Sequence, residues 1–284
     1  MANTYIKTNR ATWDEWAAVH IQQTSDYRID DFRAGKIGWK RNIPDDIGSV
    51  KGKSLLHLQC HFGMDSLMWA REGAKVTGVD FSPTAIQTAR TLNDELGLDA
   101  EFVQSDICSL AGALSGEFDI VLTYYGTIVW LPDLEQWADT IAWFLKPDGF
   151  FYMADSHPSH KLVKGALRRS QTPLHQPYFN DGEPIRHDTD GSTYADSNAC
   201  TENRTLYQWP HSMSEIINAL LGAGLTLDFL HEFPYTFHNM FYYDHHRQEP
   251  IMEQDEDNWW WLRDERISAP LMFSLMARKG RVMV

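Results

Sequence analysis

The 284-residue chain is poor in cysteine, with Cys60, Cys108 and Cys200 widely spaced. Three thiols at such spacing form neither a disulfide framework nor a zinc site, and they suit a reducing compartment. Clustered positive charge is also scarce. The formal net charge is -14, and the one dense basic stretch, Lys161 to Arg169, is short and broken by apolar residues. Phosphate backbones and anionic membrane surfaces are bound through clustered Lys and Arg, so neither nucleic acid nor a membrane is expected as a partner. The N-terminus starts polar and lacks the apolar core of a signal peptide. No run approaches the roughly 18 apolar residues of a membrane span. A cytoplasmic protein follows as the expectation.

Hydrophobic and aromatic residues are plentiful, at 43% and 13%, with 11 tryptophans. That allows a sizeable core, and each indole demands apolar cover or a ligand to stack on. From Ser54 onward, short β-like runs alternate with helix-period segments: strands over 54–60, 75–79, 101–104, 118–124 and 150–154. Helices are expected over Met64 to Glu72, then from Ser82-Pro83 to Gly97, and again from Asp133. Ser82 and Asp133 are caps, and Pro83 sits at a first helical position. Such alternation predicts an α/β fold with a mostly parallel sheet and helices on both faces.

Residues 157–209 lose periodicity and are expected to form a cap inserted above the sheet. Ser212 and Glu215 form a capping box that opens the last helix. Strands over 225–233 and 271–277 complete the core within 210–284. The run Asn258-Trp259-Trp260-Trp261 between them is expected as a loop or short helix packed on the cap, with one indole in the core and another available to line a ligand pocket. The first fifty residues, carrying Trp13, Trp16, Tyr27 and Phe32, are expected as one or two helices. Trp13, Tyr27 and Phe32 are expected to form a lid over the core of 51–156.

Gly63 lies where the first strand turns into the first helix, and Asp80 ends the second strand. An acidic residue at about that distance beyond a strand-to-helix loop is the arrangement of a nucleoside site, with Asp80 accepting from ribose hydroxyls. The segments Leu55-Leu56-His57-Leu58-Gln59-Cys60-His61-Phe62-Gly63 and Val76-Thr77-Gly78-Val79-Asp80-Phe81-Ser82 resemble class I S-adenosylmethionine-dependent methyltransferases. More narrowly, they resemble a bacterial subgroup whose first loop reads HLQCHFG in place of a glycine-rich one. The resemblance runs from about Lys53 to Ala277 and implies a Rossmann-like seven-stranded sheet with an antiparallel last strand.

It also implies S-adenosyl-L-methionine as cofactor; the acidic, aromatic-rich cap is expected to enclose a small-molecule acceptor, and methylation on oxygen or nitrogen is expected on general prevalence alone. Gln59, Cys60, His61 and Gly63 would border the methionine moiety. Asp80 and Ser82 would serve the ribose side, and Phe81 the adenine. Asp106 would accept from the adenine amino group, flanked by Ser105 and Ile107. Tyr27 would contribute from the N-terminal segment, and Tyr124 and Tyr125 would lie near the sulfonium. Gln59 and His61 replace two of the loop's usual glycines, where their Cβ atoms oppose positive φ and close backbone approach. A nicotinamide dinucleotide presses a pyrophosphate on this loop and needs those glycines; the cofactor of the resembled family carries no phosphate.

His157 follows the fifth strand at the sheet's carboxyl edge and is the expected base for the acceptor's proton, with Tyr125 beside it. Tyr242-Tyr243-Asp244-His245-His246 lacks a well-spaced third ligand, so no metal is expected. Oligomeric state is left at monomer or homodimer. The competing reading is a non-catalytic S-adenosylmethionine-binding sensor or scaffold of the same fold.

Overall fold

The structure, a computed structural model, describes residues 2–39, 42–167, 177–179, 181–241, 243–244, 249–264 and 266–280. Three helices come first: α1 (Ala2–His20), α2 (Ile29–Arg33) and α3 (Asn42–Ile47). The alternating region follows as β1 (Ser54–Leu58), α4 (Met64–Arg71), β2 (Lys75–Asp80), α5 (Pro83–Leu96), β3 (Glu101–Gln104), β4 (Phe118–Tyr124), α6 (Leu134–Phe144) and β5 (Leu145–Ser156). Next come α7 (His160–Leu167), β6 (Ile185–Asp188), β7 (Thr205–Gln208), α8 (Met213–Gly222) and β8 (Leu225–Phe233). The chain continues through β9 (Tyr235–Thr236), β10 (Tyr243–Asp244), β11 (Glu249–Pro250), β12 (Met252–Gln254), β13 (Trp260–Leu262) and β14 (Met272–Lys279).

The main sheet has seven strands in the order β3-β2-β1-β4-β5-β14-β8. Pairing is parallel from β3 to β5, and β14 runs antiparallel to both β5 and β8. This is the mostly parallel α/β sheet that the alternating pattern predicts, with the reversed last strand that the family resemblance implies. Alternation along the strands splits the core in two. Leu56, Leu58, Val121, Phe151 and Met153 bury against α6 and α8, while Leu55, Val76, Ile120, Leu122 and Tyr152 bury with Ile43, Ile47 and Trp69 on the other face.

Local signals explain the element ends. Ser82 Oγ accepts from Ala85 N, Asp133 from Gln136 N, and Ser212 and Glu215 close their box in both directions. Lys146-Pro147-Asp148-Gly149 is absorbed into β5, which spans Leu145–Ser156. The β4–β5 register passes from Phe118↔Leu145 to Ile120↔Phe150, so these four residues bulge out. Gly149 is required there, because a Cβ would lie 2.9 Å from Lys146 O and 3.1 Å from Asp119 O.

Two expectations change, those for the tryptophan run and for Phe32. Trp260 and Trp261 of the tryptophan run lie in strand β13 of a three-stranded sheet β12-β13-β9. Trp259 is buried against Tyr235, and Trp261 Nε1 donates to Asp255, so none of the three indoles reaches the large cavity described below. The 157–209 stretch holds α7 and the β6–β7 hairpin, and that hairpin packs on α1. Phe32 is not a lid residue. It is fully buried among Phe62, Leu67, Ile86 and Ala89, with the Arg71 guanidinium 4.5 Å above its ring. Tyr242, His245 and His246 of the set-aside metal motif lie outside the described residues. No helix among the described residues is long and apolar enough to cross a membrane.

Candidate active site

Strand order reverses between β1 and β4, and the crevice beyond the carboxyl ends of such strands is where open α/β sheets bind ligands. A cavity of about 700 Å³ opens there, within the size range of small-molecule and cofactor sites. Its floor is the loop after β1. Cys60 N donates to Val79 O at 2.9 Å, prolonging the β1–β2 ladder, and Gly63 N donates to Cys60 O at 2.9 Å. Gln59 and His61 take φ of 54° and 51°, and Gly63 takes 81°. The loop therefore keeps the glycine conformation at two positions without glycine, at an order of 1 kcal/mol of strain each. Gly63 itself is irreplaceable, since a Cβ would lie 2.7 Å from the Phe102 ring and 2.9 Å from Ala89 Cβ.

Tertiary contacts hold the two strained residues. Gln59 Nε2 donates to Thr127 O at 3.0 Å, tying the β1 loop to the β4 loop. His61 Nε2 stands 2.9 Å from His20 Nδ1 on α1, so one of these two neutral rings donates to the other. Burial holds both imidazoles well below the ordinary histidine value, His20 at about 3. Gln59 Oε1, by contrast, is buried and meets no donor among the described residues.

Asp80 closes the floor. One carboxylate oxygen accepts from His61 N and the other from Ser82 N, both at 2.9 Å. Burial pushes its carboxyl up to about 6 against the pull of those backbone donors. Asp106 N-caps the 3-10 turn Ile107–Gly112 by accepting from Cys108 N at 2.8 Å, and Ser105, Asp106, Ile107 and Phe81 line the cavity beside it. Tyr27, Gln59, Cys60, His61, Gly63, Asp80, Tyr124 and Tyr125 line it as well.

Two expected site residues do not. Ser82 is turned into the α5 terminus, where its hydroxyl caps the helix and donates to Asp14 Oδ1 at 2.7 Å. His157 points away from the cavity. Its Nδ1 accepts from Ser159 N, and its Nε2 lies 2.8 Å from Glu232 on β8. The strand-end position is as expected, but the β5 pleat directs this side chain toward β8 and Phe273.

Sequence reasoning missed residues whose roles depend on distant segments. Asp155 is fully buried at the end of β5, and its carboxylate accepts from the backbone N of Gly126, Thr127, Ile128 and Ser156 at 2.6 to 3.3 Å. It fixes the β4 loop, where Tyr125 takes φ of 66°. An acidic residue at a strand end, as with Asp80, was its available signal. His160 opens α7, and its Nδ1 donates to His157 O at 2.8 Å, leaving the lone pair on Nε2. His211 Nε2 donates to Leu131 O at 2.8 Å. His160, Lys161, His211, Tyr194 and Trp130 line the cavity.

The roof is α1. Asp14 accepts from Ser82 Oγ and Thr84 N at the α5 terminus, where an anion is favoured. Asn9 pairs with both backbone groups of Tyr207 on β7 at 2.7 Å. Trp13 then sits edge-on to His61 and Trp130 at 5.5 and 5.3 Å.

Sheet order, the strand-end acid and the crevice together define the class I methyltransferase fold. Residues 55–149 match the family model described as a methyltransferase domain. Among curated proteins, the ubiquinone biosynthesis O-methyltransferase of Salmonella paratyphi A is 31% identical over 123 residues, 43% of this chain and 48% of the relative. That of Pectobacterium atrosepticum is 30% identical over 128 residues, 45% of this chain and 50% of the relative. The chain thus spans about half the length of these relatives. Among solved structures, an S-adenosylmethionine-dependent methyltransferase from Clostridium acetobutylicum superposes with a TM-score of 0.55 at 12% identity, covering 90% of this chain and 97% of that one. One from Methanosarcina mazei gives 0.53 at 17% identity, over 84% and 97%.

Proposed function

We propose that the protein transfers a methyl group from S-adenosylmethionine to an oxygen of a small-molecule acceptor, and that it belongs to the subgroup with the glycine-poor HLQCHFG loop. The observation that carries this reading is the half of the cavity around Gln59. Its buried Oε1 needs a donor, which the α-ammonium of the methionine moiety provides, while Asp80, one strand over, faces the same space for the ribose. Phe81, Asp106 and Ile107 form the adenine end, and Cys60, His61 and Gly63 the turn beneath the methionine moiety. Tyr27 and Tyr124 line the walls.

Bound there, the cofactor supplies an electrophilic methyl on a sulfonium. The chain's own work is alignment, exclusion of water and removal of the acceptor's proton. Trp13, Tyr27 and α1 cover the cavity. The β4 loop, held by Asp155, carries Tyr125 to its edge. His160 replaces His157 as the base, because the carbonyl bonded to Nδ1 fixes the tautomer that presents Nε2 as acceptor. An oxygen acceptor accords with the O-methyltransferase relatives. The cysteine pattern favours a cytoplasmic protein, and the acidic charge disfavours a nucleic-acid partner.

Calorimetry with S-adenosylmethionine and S-adenosylhomocysteine tests cofactor binding, with low to mid micromolar Kd expected. Incubation with methyl-labelled S-adenosylmethionine and a metabolite extract tests turnover. Binding without any labelled product would select the sensor reading; no binding would reject both.

A further inference from the structure

One buried carboxylate governs the loop after β4. Asp155 Oδ1 accepts from Gly126 N at 2.7 Å and Ser156 N at 2.6 Å, and Oδ2 accepts from Thr127 N at 3.0 Å and Ile128 N at 3.3 Å. The Thr127 hydroxyl adds a longer bond to Oδ2 at 3.4 Å. Successive backbone donors gathered on one anion form a nest, and each bond restrains the backbone that donates it. Farther along the loop, Trp209 N donates to Val129 O at 2.8 Å, so residues 126–128 are the part that Asp155 alone holds by its side chain.

Two groups of the cavity wall take their places from that loop. Thr127 O accepts from Gln59 Nε2 at 3.0 Å, which leaves Gln59 Oε1 as a buried acceptor with no donor among the described residues. Tyr125 takes φ of 66° directly before the nest, with its ring 4.4 Å from Phe237. Its Oη is buried and meets no partner among the described residues, and burial pushes the phenol upward, so it stays a neutral donor. In the parallel β1–β4 pair His57 stands opposite Leu122, which brings Gln59 level with Tyr124 and Tyr125 one residue beyond. An unmet acceptor and an unmet donor thus stand at adjacent strand ends, and each costs stability until a ligand meets it.

We infer that Asp155 is a positioning residue: through the β4 loop it presents Gln59 Oε1 to the α-ammonium of the cofactor's methionine moiety and Tyr125 Oη to its α-carboxylate. This rests on the methyl-transfer reading for the identity of the ligand. A zwitterionic amino acid satisfies both unmet groups at once, since one carbon carries a donor and an acceptor. The oxygens of Asp155 are taken up by the loop, so the residue acts through Thr127 and Tyr125. Its effect is to make the cavity distinguish a nucleoside that carries an amino acid from one that does not.

The test compares S-adenosylhomocysteine with 5′-methylthioadenosine, which keeps the nucleoside and the sulfur but lacks the amino acid, by calorimetry on the full-length protein. The unaltered protein should bind S-adenosylhomocysteine more tightly by roughly tenfold or more, the scale of hydrogen bonds to charged groups. Tyr125→Phe should cut that preference about fivefold and keep methylthioadenosine affinity within about twofold. Without ligand it should melt at an equal or higher temperature, because it deletes an unmet buried hydroxyl. Asp155→Asn sets an amide N–H against backbone donors, so it should cut the preference further and again spare methylthioadenosine. In a Gln59→Met, Tyr125→Phe background, Asp155→Asn should leave the remaining preference unchanged, as expected of a residue that acts through those two. Should Asp155→Asn fail to fold, Thr127→Val, which deletes only the hydroxyl bond, should lower the preference about twofold. Equal losses for both ligands, equal affinities in the unaltered protein, or an unchanged preference in Tyr125→Phe or in both loop variants would overturn the assignment and leave the methyl-transfer reading standing. Binding of neither ligand to the unaltered protein would overturn both.

Discussion

The two halves of the cavity are built in different ways. Most of the β1–β3 half comes from one contiguous stretch, 57–108, in which each strand delivers its loop directly to the site, with Tyr27 and Trp13 added from the N-terminal segment. The β4–β5 half is assembled from α1, the β4 loop, the start of α7, His211 just ahead of the α8 cap, and Phe237 and His238 beyond β9. One half repeats a strand-loop-helix plan that many acceptors can share. The other is made where segments more than two hundred residues apart meet.

The largest effect that would break this division is a pair of histidine variants. His160→Ala should lower kcat by roughly 10²–10⁴-fold with S-adenosylhomocysteine affinity nearly unchanged, as loss of a general base does. His157→Ala should keep most of the rate and lose stability instead, because its ring bridges Ser159 and Glu232 rather than the cavity. Steady-state kinetics with thermal melts on both variants decide the matter. The reverse pattern would return the base role to His157.

A smaller effect is expected in the other half. Asp80→Ala should weaken S-adenosylhomocysteine by about 1.5–3 kcal/mol, the loss of hydrogen bonds to a charged acceptor. The sign of its pH dependence follows from burial. The folded carboxyl titrates at about 6 against an ordinary 3.8, so between these values the folded protein holds a proton that the unfolded chain has released. Its contribution to stability therefore falls as pH rises through that window. Ribose hydroxyls donate to the ionised form, so affinity should drop by up to tenfold per unit below pH 6 and be flat above 7. Calorimetry across pH 5–8 reads this, and Asp80→Asn should flatten it.

The smallest effect concerns the roof that spans both halves. Amide exchange over Trp13 to His20 should slow when S-adenosylhomocysteine is added, since these residues face the cavity floor through Trp13 and His20. Exchange over α2 should not change, because Ile29 and Phe32 are already core. Equal exchange throughout α1 with and without ligand would reduce the roof to a fixed wall.

Much of the fold is legible in the sequence because its signals are local. Ser82-Pro83, Asp133 and the Ser212–Glu215 box mark helix starts, since a cap bonds only within the first turn. Alternation of Leu55 and Leu56, or Phe150 and Phe151, assigns neighbours to opposite faces. Asp80 and Asp106 are legible for a related reason, as each ends or follows a strand whose place in the sheet the pattern already implies. The tryptophan run was opaque, because three adjacent indoles carry no period. Their strand forms only by pairing with β9 and β12.

By itself, the sequence determined the alternating fold, the strand-end acids and the glycine-poor loop. Tertiary structure decided whether that loop could keep its shape: Gln59 and His61 hold left-handed φ because Thr127 and His20, from other segments, bind their side chains. It also decided which histidine faces the cavity. His157 and His160 stand three residues apart at the same strand edge, and no local signal separates them. The last residues of β5 direct one side chain to β8, and the first turn of α7 turns the other inward. Side-chain direction past a strand end depends on the packed neighbours, which only the folded chain supplies.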